Sequence, residues 1–254
     1  MRLVSLHRYP VKGLRPEALA RILLSPGQGV ALDRAFAFAR PGVAFDPAQP
    51  KHLPKQNFLM LMREEELAGL SAIFSETSNE LILSQDAREL ARGDPTTPEG
   101  RRAIETVLAQ RVRNKIDGWP KLVSAPGHSF GNVAAKVVSL IGLASIRALQ
   151  EKLGAFVDPL RFRANAYFDG APPWAELGWI DREVRIGPAR LRIRQRTDRC
   201  AATNVDPKTG ARDMNIPKAL ARHFGHMDMG VYAEVIEGGE IKIGDVLALS
   251  LPTE

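Results

Sequence analysis

The sequence predicts an α+β protein rich in strands, and three observations lead there. Short runs of alternating apolar residues recur along the 254 residues, most of them closed by Pro or Gly. Few segments carry apolar residues at helical spacing. Strands and helices show no regular alternation, which favours a barrel-like arrangement over a doubly wound parallel sheet.

RLVSLHRY reads as a strand ending at Pro10, and ARILLS as a second strand closed by Pro26 and Gly27. DRAFAFAR puts Ala35, Ala37 and Ala39 on one face and Phe36 and Phe38 on the other, before Pro41-Gly42. Positions 45–54 are rich in Pro and polar residues and read as a loop. A short helix is predicted over 63–70 and a strand at ELILSQ. A loop with Gly93, Pro95, Pro98 and Gly100 precedes a helix over 101–116, where Ile104, Val107, Leu108 and Val112 fall on one face. Gly118-Trp119-Pro120 marks a boundary between two parts, 1–117 and 118–254, whose cores are free to merge. The second part holds a helix over 143–153 closed by Gly154, and a short helix over 217–225 that opens on Pro217. Its strands are RANAYFD, EVRIG, ARLRIRQ, VYAEVIE and EIKIGDVLALS, the last two expected to form a hairpin turning at Gly238-Gly239.

Hydrophobic content of 44% and charged content of 25% are those of an ordinary soluble globular protein. No apolar run is long enough to cross a bilayer. MRLVSLHRYPVKG meets Pro10 before an apolar signal core can form. With one cysteine, which suits a reducing compartment, the expected location is cytoplasmic. A net charge of +6 raises the nucleic-acid class. Against it, the basic residues are spread along the chain and only 6% of residues are aromatic, leaving few stacking platforms. Arginine outnumbers lysine 25 to 10, a bias that suits planar, bidentate binding of anions and equally follows from a GC-rich genome.

The single cysteine, Cys200, lies in RTDRCAATNVDPKTG. Alone it makes no intrachain disulfide and no cysteine-rich zinc or iron–sulfur cage. It has the chemistry of a nucleophile, or of one soft ligand to a metal whose other ligands come from a cofactor. A free cysteine is also often a small buried hydrophobe, and the residues alone leave both readings open. In the preceding strand Leu191 and Ile193 face one way and Arg190, Arg192, Arg194 and Arg196 the other. If the strand continues, Cys200 shares the arginine face and Arg199 points away from it. VDPKTG is a turn, with Asp206 opening it, Pro207 presetting φ and Gly210 at positive φ. Lys12 in YPVKG, Arg34 in LDR, and Arg161, Arg163 and Asn165 in LRFRAN follow or flank strands and can contact an anion; each also suits a solvated or ion-paired surface role. HExxH, Walker, GxGxxG and GxSxG motifs are absent, and His223 with His226 is too sparse for zinc.

In order along the chain, YPVKG, LDRAFAF, LRFRAN, DRCAATNVDPKTG and GGEIKIGDVLAL resemble the MOSC family, the molybdenum-cofactor sulfurase C-terminal domain proteins. The likeness is to its two-part branch with an N-terminal β-barrel module, as in the mitochondrial amidoxime-reducing component and its bacterial relatives. The resemblance implies a MOSC-type β-barrel domain after that module, with a few short helices. It implies that Cys200 coordinates the molybdenum of a pterin cofactor, with Lys12, Arg34, Arg163 and Asn165 as cofactor contacts. The implied activity is reduction of N-hydroxylated compounds such as amidoximes and hydroxylamino bases. One cysteine cannot hold an iron–sulfur cluster, so electrons are expected from a separate ferredoxin-, flavodoxin- or reductase-type protein. The alternative is a non-catalytic cofactor carrier or sulfur-relay protein with a persulfide on Cys200. Three positions depart from the family pattern: Gly13 follows the first-motif lysine where serine is frequent, Ala164 replaces a proline, and Asp198 stands two before the cysteine where a small polar residue is frequent. A carboxylate at Asp198 can repel an oxo-metal centre or donate protons, which places Asp198 beside Cys200 among the catalytic candidates.

Overall fold

The computed structural model describes residues 1–250; the last four residues of the 118–254 part lie outside the described residues. In chain order the strands are β1 (Arg2–Arg8), β2 (Glu17–Leu19), β3 (Arg21–Leu24), β4 (Phe36–Ala39), β5 (Ser71–Ser75), β6 (Glu80–Gln85) and β7 (Arg88–Gly93). After helix α1 (Pro98–Val112) come β8 (Lys121–Ser124), β9 (Val138–Gly142), helix α2 (Leu143–Leu153), β10 (Ala166–Asp169), β11 (Glu183–Ile186) and β12 (Ala189–Asp198). Helix α3 (Ile216–Phe224), β13 (Asp228–Glu237), β14 (Gly239–Lys242) and β15 (Leu247–Leu249) complete the described chain. This is the expected α+β, strand-rich class, with one large sheet curled into a half-barrel.

That sheet has the order β15-β11-β12-β13-β9-β10-β1-β2, and only its β9–β10 pairing is parallel. Alternate residues serve its two faces, as the period of two requires. Leu140, Phe168 and Val231 join Leu3, Leu6, Leu191 and Ile193 in one core, while Ile141, Tyr167 and Met229 meet α2 and α3 through Ile146, Leu149, Ile216 and Leu220. A third core gathers Phe36, Phe38, Leu59 and Leu81 with Ile104, Leu108 and Val112 of α1. Strand β1 is thus a member of a sheet otherwise built mainly from the second half, and β3 pairs with β14. No helix among the described residues is long and apolar enough to cross a membrane.

Helix α1 starts three residues earlier than its apolar spacing indicates. Thr97 caps it by accepting from the Gly100 amide at 3.0 Å, and Pro98 occupies the first turn. It also stops earlier, at Val112. Helix α2 ends as expected on Gly154, which is left-handed with φ 62°. The segment at 63–70 is a 3-10 turn over Glu65–Gly69 instead of an α-helix. Strand β4 keeps its alternation, yet both faces are buried. Phe36 and Phe38 enter one core, and Ala37 and Ala39 pack beside Phe58 and Phe130.

The expected terminal hairpin does not form. The chain does turn at Gly238-Gly239, but β13 pairs with β12 and β9, β14 with β3, and β15 with β11. Glycine is required there because a Cβ on Gly238 would sit 2.6 Å from the Leu24 carbonyl and one on Gly239 2.7 Å from Pro188. The turn moves the chain between sheets and does not fold it back on itself.

A second close approach joins β7 to α1. A Cβ on Gly93 would lie 2.5 Å from the Gly100 Cα, and one on Gly100 would fall against the Asp94 backbone. Gly100→Ala is therefore expected to destabilise the fold by roughly 1–3 kcal/mol through overpacking. An unchanged thermal midpoint would show that this junction yields freely.

Candidate functional site

Tyr9 is fully buried, and its ring carries two guanidiniums, Arg34 at 4.4 Å and Arg163 at 4.5 Å from the centroid. The local backbone explains why they meet. The Tyr9 amide donates to Asp33 Oδ1 at 2.8 Å, and the Arg34 amide donates to the Tyr9 carbonyl at 2.7 Å, so the 30–34 turn is stitched to the end of β1. Arg34 sits at φ 52° and Arg163, which ends the Pro159–Phe162 turn, at φ 55°. Two arginines in the left-handed region are uncommon and cost backbone energy. Arg34 Nη2 then donates to the Arg163 carbonyl at 2.8 Å, and Arg163 Nη1 to the Leu14 carbonyl at 2.7 Å.

Lys12 joins the pair at the wall of one cavity of about 740 Å³. Its ammonium donates to the Phe130 carbonyl at 2.7 Å and to Asn132 Oδ1 at 3.2 Å, and it contacts no carboxylate. Burial, followed by the charges of Arg34, Arg163 and Lys55, lowers its pKa to about 7. Burial likewise lowers that of Arg163 to about 10, leaving it charged at neutral pH. Among the described residues, the only carboxylate in ion-pair contact with this trio is Asp33, bound to Arg34. Three basic groups against the one acid they contact leave an excess of positive charge along this part of the cavity wall.

Cys200 follows β12 and borders the same cavity, half-buried. The Thr203 amide and hydroxyl both donate to its carbonyl, at 3.1 and 2.9 Å, fixing the backbone under the thiol. The following turn is as the sequence indicates. Asp206 accepts from the amides of Lys208 and Thr209, both at 2.8 Å, and Gly210 has φ 75°. Arg161, expected on a cationic face, instead clamps this loop from beneath. Its side chain is 1% exposed and reaches Asp213 at 2.7 Å, Asp206 at 3.1 Å and the Asn204 carbonyl at 3.2 Å.

Strand β12 ends at Asp198, with Thr197 buried and Asp198 exposed, so Arg199 and Cys200 lie beyond the strand from which their faces were extrapolated. Thr197, Asp198, Arg199 and Cys200 all border the cavity. Arg199 is anchored by donating to the carbonyls of Met229 at 2.9 Å and Phe162 at 2.8 Å.

Asn165 also borders the cavity, but its amide is committed to the frame. Its Oδ1 accepts from the Ser139 amide at 3.1 Å and hydroxyl at 2.8 Å, and Nδ2 donates to the His7 carbonyl at 3.2 Å. The sequence reading missed Tyr9, Arg199 and the 129–132 segment that receives Lys12. For Tyr9 a signal existed, since it stands in the same YPVKG run as Lys12. For 129–132, Ser-Phe-Gly-Asn, the only cue was turn-forming residues, which any loop shares.

No group of three or more His, Cys, Asp or Glu among the described residues is arranged to hold a metal ion. A metal at Cys200 would need its remaining ligands from a cofactor, and an anionic cofactor matches the cationic wall.

A sequence model of the family described as MOSC domain matches residues 125–248. The span holds Arg163, Asn165, Asp198 and Cys200, whereas Lys12 and Arg34 lie outside it. Over 123 residues the chain is 30% identical to molybdenum cofactor sulfurase of Drosophila mojavensis, covering 44% of this chain and 15% of that protein. Over 123 residues it is 29% identical to mitochondrial amidoxime-reducing component 1 of Xenopus laevis, covering 44% of this chain and 35% of that protein. The chain therefore spans well under half the length of either curated relative. The crystal structure of the YuaD protein of Bacillus subtilis is similar at 12% identity and a TM-score of 0.46, over 98% of this chain and 94% of that one. Residues 125–248, just under half of the chain, thus match the MOSC-domain family, the family that the sequence motifs resemble.

Proposed function

We propose that this chain is a molybdenum-cofactor-dependent reductase of N-hydroxylated compounds, supplied with electrons by a separate protein. The observation that carries this reading is the convergence of Lys12, Arg34 and Arg163 with the Cys200 thiol on one cavity. The donor set fits the group, offering one soft thiolate for a metal and basic side chains for an anionic pterin. Two relatives whose names carry molybdenum cofactor and amidoxime reduction support the same class.

When bound, the cofactor supplies the two-electron chemistry, and the chain supplies position and charge. Cys200 holds the metal side of the group. Arg34, Arg163 and Lys12 hold its anionic side, stiffened by the Tyr9 stack. Asn165 keeps the strands behind Arg163 in register. Asp198, two residues before the cysteine, handles protons at the cavity. The reaction balances as N–O bond cleavage, with the oxygen leaving as water after uptake of two electrons and two protons. A cytoplasmic setting suits the single free thiol.

The two parts, 1–117 and 118–254, are proposed to work as one unit, because Lys12 and Arg34 come from the first and Cys200 from the second. Expressed alone, 118–254 would lack β1 and β3 and is expected to lose its sheet edge and bind no cofactor.

The direct test is elemental and fluorescence analysis of protein made in a cofactor-competent host. Stoichiometric molybdenum with a released pterin is expected. Sulfane sulfur on Cys200 without metal would favour a sulfur-relay protein, and salt-sensitive retention of DNA would favour a nucleic-acid binder. Loaded protein is also expected to be inactive with NADH or NADPH alone, as the chain has no dinucleotide fingerprint, and active with reduced viologen or an acidic electron carrier. Steady turnover with NADH and no second protein would refute the partner requirement.

A further inference from the structure

Residues 41–56, between β4 and Phe58, leave the body of the protein and return to the same place. Their two ends are joined by a bridge between Ala39 and Phe58 and by the Arg40 amide, which donates to the Asn57 carbonyl at 2.9 Å. Beneath them the Arg40 guanidinium pairs with the buried Glu64, whose second oxygen accepts from the Met60 amide at 2.9 Å. An excursion of this length on a firm base is an Ω-loop, and long loops with little regular structure inside a compact fold are usually lids or binding loops. Twelve of the sixteen residues from 41 to 56 are exposed, and the other four divide by role. Val43, Phe45 and Leu53 pack on the cluster of Phe58 and Phe130, with the Phe45 ring 5.1 Å from that of Phe130. Lys55 borders the cavity. Its carbonyl accepts from the Phe58 amide at 3.1 Å, which fixes its backbone, while its ammonium has no hydrogen bond and no ion pair among the described residues. It is near enough to Lys12 that its charge adds to burial and to Arg34 and Arg163 in lowering that lysine's pKa. Pro47 on the outgoing leg borders the cavity too, so both legs of the loop stand at its rim. Phe130, on which the loop rests, also receives the Lys12 ammonium through its carbonyl at 2.7 Å. The seat of the loop and the basic wall share a residue.

We propose that residues 41–56 form a lid over this cavity and that Lys55 is its latch, a fourth cation that closes on the anion held by Lys12, Arg34 and Arg163. In the empty cavity these charges repel one another, and nothing holds the Lys55 ammonium. A phosphate-type anion carries several acceptor oxygens, so it engages wall and latch together and turns repulsion into attraction. Closure rests on few contacts, the three apolar side chains on the aromatic seat and one charge-assisted bond from Lys55, as a segment that must open again requires. Water kept out by the closed loop strengthens the ionic contacts beneath it. As a statement about cofactor retention this rests on the reductase reading; as a statement about a lid it needs only the cavity.

Amide hydrogen exchange over 42–56 reads the lid directly. It is measured on cofactor-free protein with and without millimolar pyrophosphate, with sodium chloride at equal ionic strength as the control, and on molybdenum-loaded protein. Either anion is expected to slow exchange in this segment by about tenfold, the scale of one hydrogen bond to a charged group. Lys55→Ala should lose that protection and release the cofactor about tenfold faster. Lys51→Ala, an exposed cation of the same loop that does not border the cavity, should behave as wild type. Unchanged thermal midpoints confirm that both variants are folded. Protection by neither anion, protection in Lys55→Ala equal to wild type, or equal loss in Lys51→Ala overturns the proposal. Molybdenum content separates the two readings. Loaded protein whose loop is protected by neither cofactor nor pyrophosphate sinks the lid and leaves the reductase reading, whereas protein that never carries molybdenum but is protected by pyrophosphate through Lys55 sinks the reductase reading and leaves the lid.

Discussion

Cys200→Ser is expected to give a folded protein that retains less than about a tenth of the wild-type molybdenum, because a hydroxyl is too hard and too weakly acidic to replace a thiolate on this metal. The chain has no second cysteine to substitute for it. The fold should survive for local reasons. Cys200 is half-buried, its backbone carbonyl is held by Thr203, and it precedes a 3-10 turn whose entry serine also accommodates. The Arg161 clamp on Asp206 and Asp213 holds the loop independently of the side chain at 200. Metal analysis and far-UV circular dichroism of the same preparation decide the outcome. Full metal content would reject the ligand assignment, and an unfolded variant would return Cys200 to the role of a packing residue.

Much of the local structure was legible because its causes are local. The Asp206 turn, the Gly154 stop of α2 and the alternation of β11 and β12 each rest on residues within a few positions of one another. Strands β2, β5, β7, β8 and β9 were not legible, for different reasons. RELARG in β7 is charged and largely exposed, so no apolar alternation marks it. VSLIG in β9 is buried throughout and runs straight into the apolar face of α2, so its period of two is hidden. At Gly238-Gly239 the sequence correctly signalled a turn, but pairing partners are chosen by non-local burial, and a turn alone does not name them.

The site divides in the same way. Cys200 stood out through its uniqueness. The anchoring of its neighbour Arg199 on the Met229 and Phe162 carbonyls was not legible, because those partners are distant in sequence. The convergence of Lys12, Arg34 and Arg163 across some 150 positions came from motif resemblance and not from periodicity. The residues that make the convergence possible, Tyr9 between two guanidiniums and the Phe130 carbonyl under Lys12, play roles that only the folded chain reveals.

Lys12→Met is expected to act in opposite directions on stability and on ligand retention. In the cofactor-free protein the ammonium is buried among Arg34, Arg163 and Lys55 with no acidic partner, which lowers its pKa from 10.5 to about 7. From pH 7 to 10.5 the unfolded chain therefore keeps a proton that the folded chain has released, so stability of the cofactor-free protein rises with pH across that window. The full penalty applies below about pH 7. Methionine removes the buried charge at similar length, at the cost of leaving the Phe130 carbonyl without its donor. The net expectation is a cofactor-free variant roughly 1–3 kcal/mol more stable near pH 6, with a flatter pH profile than wild type. Retention of the anionic cofactor should fall by about 1.5–3 kcal/mol, the worth of one hydrogen bond to a charged group. Denaturant titrations of cofactor-free wild type and variant at pH 6 and pH 9, with molybdenum content measured on parallel samples, test both halves. A variant less stable than wild type at pH 6 would mean that Lys12 is a structural donor to the 129–132 segment and not a charge held ready for a ligand.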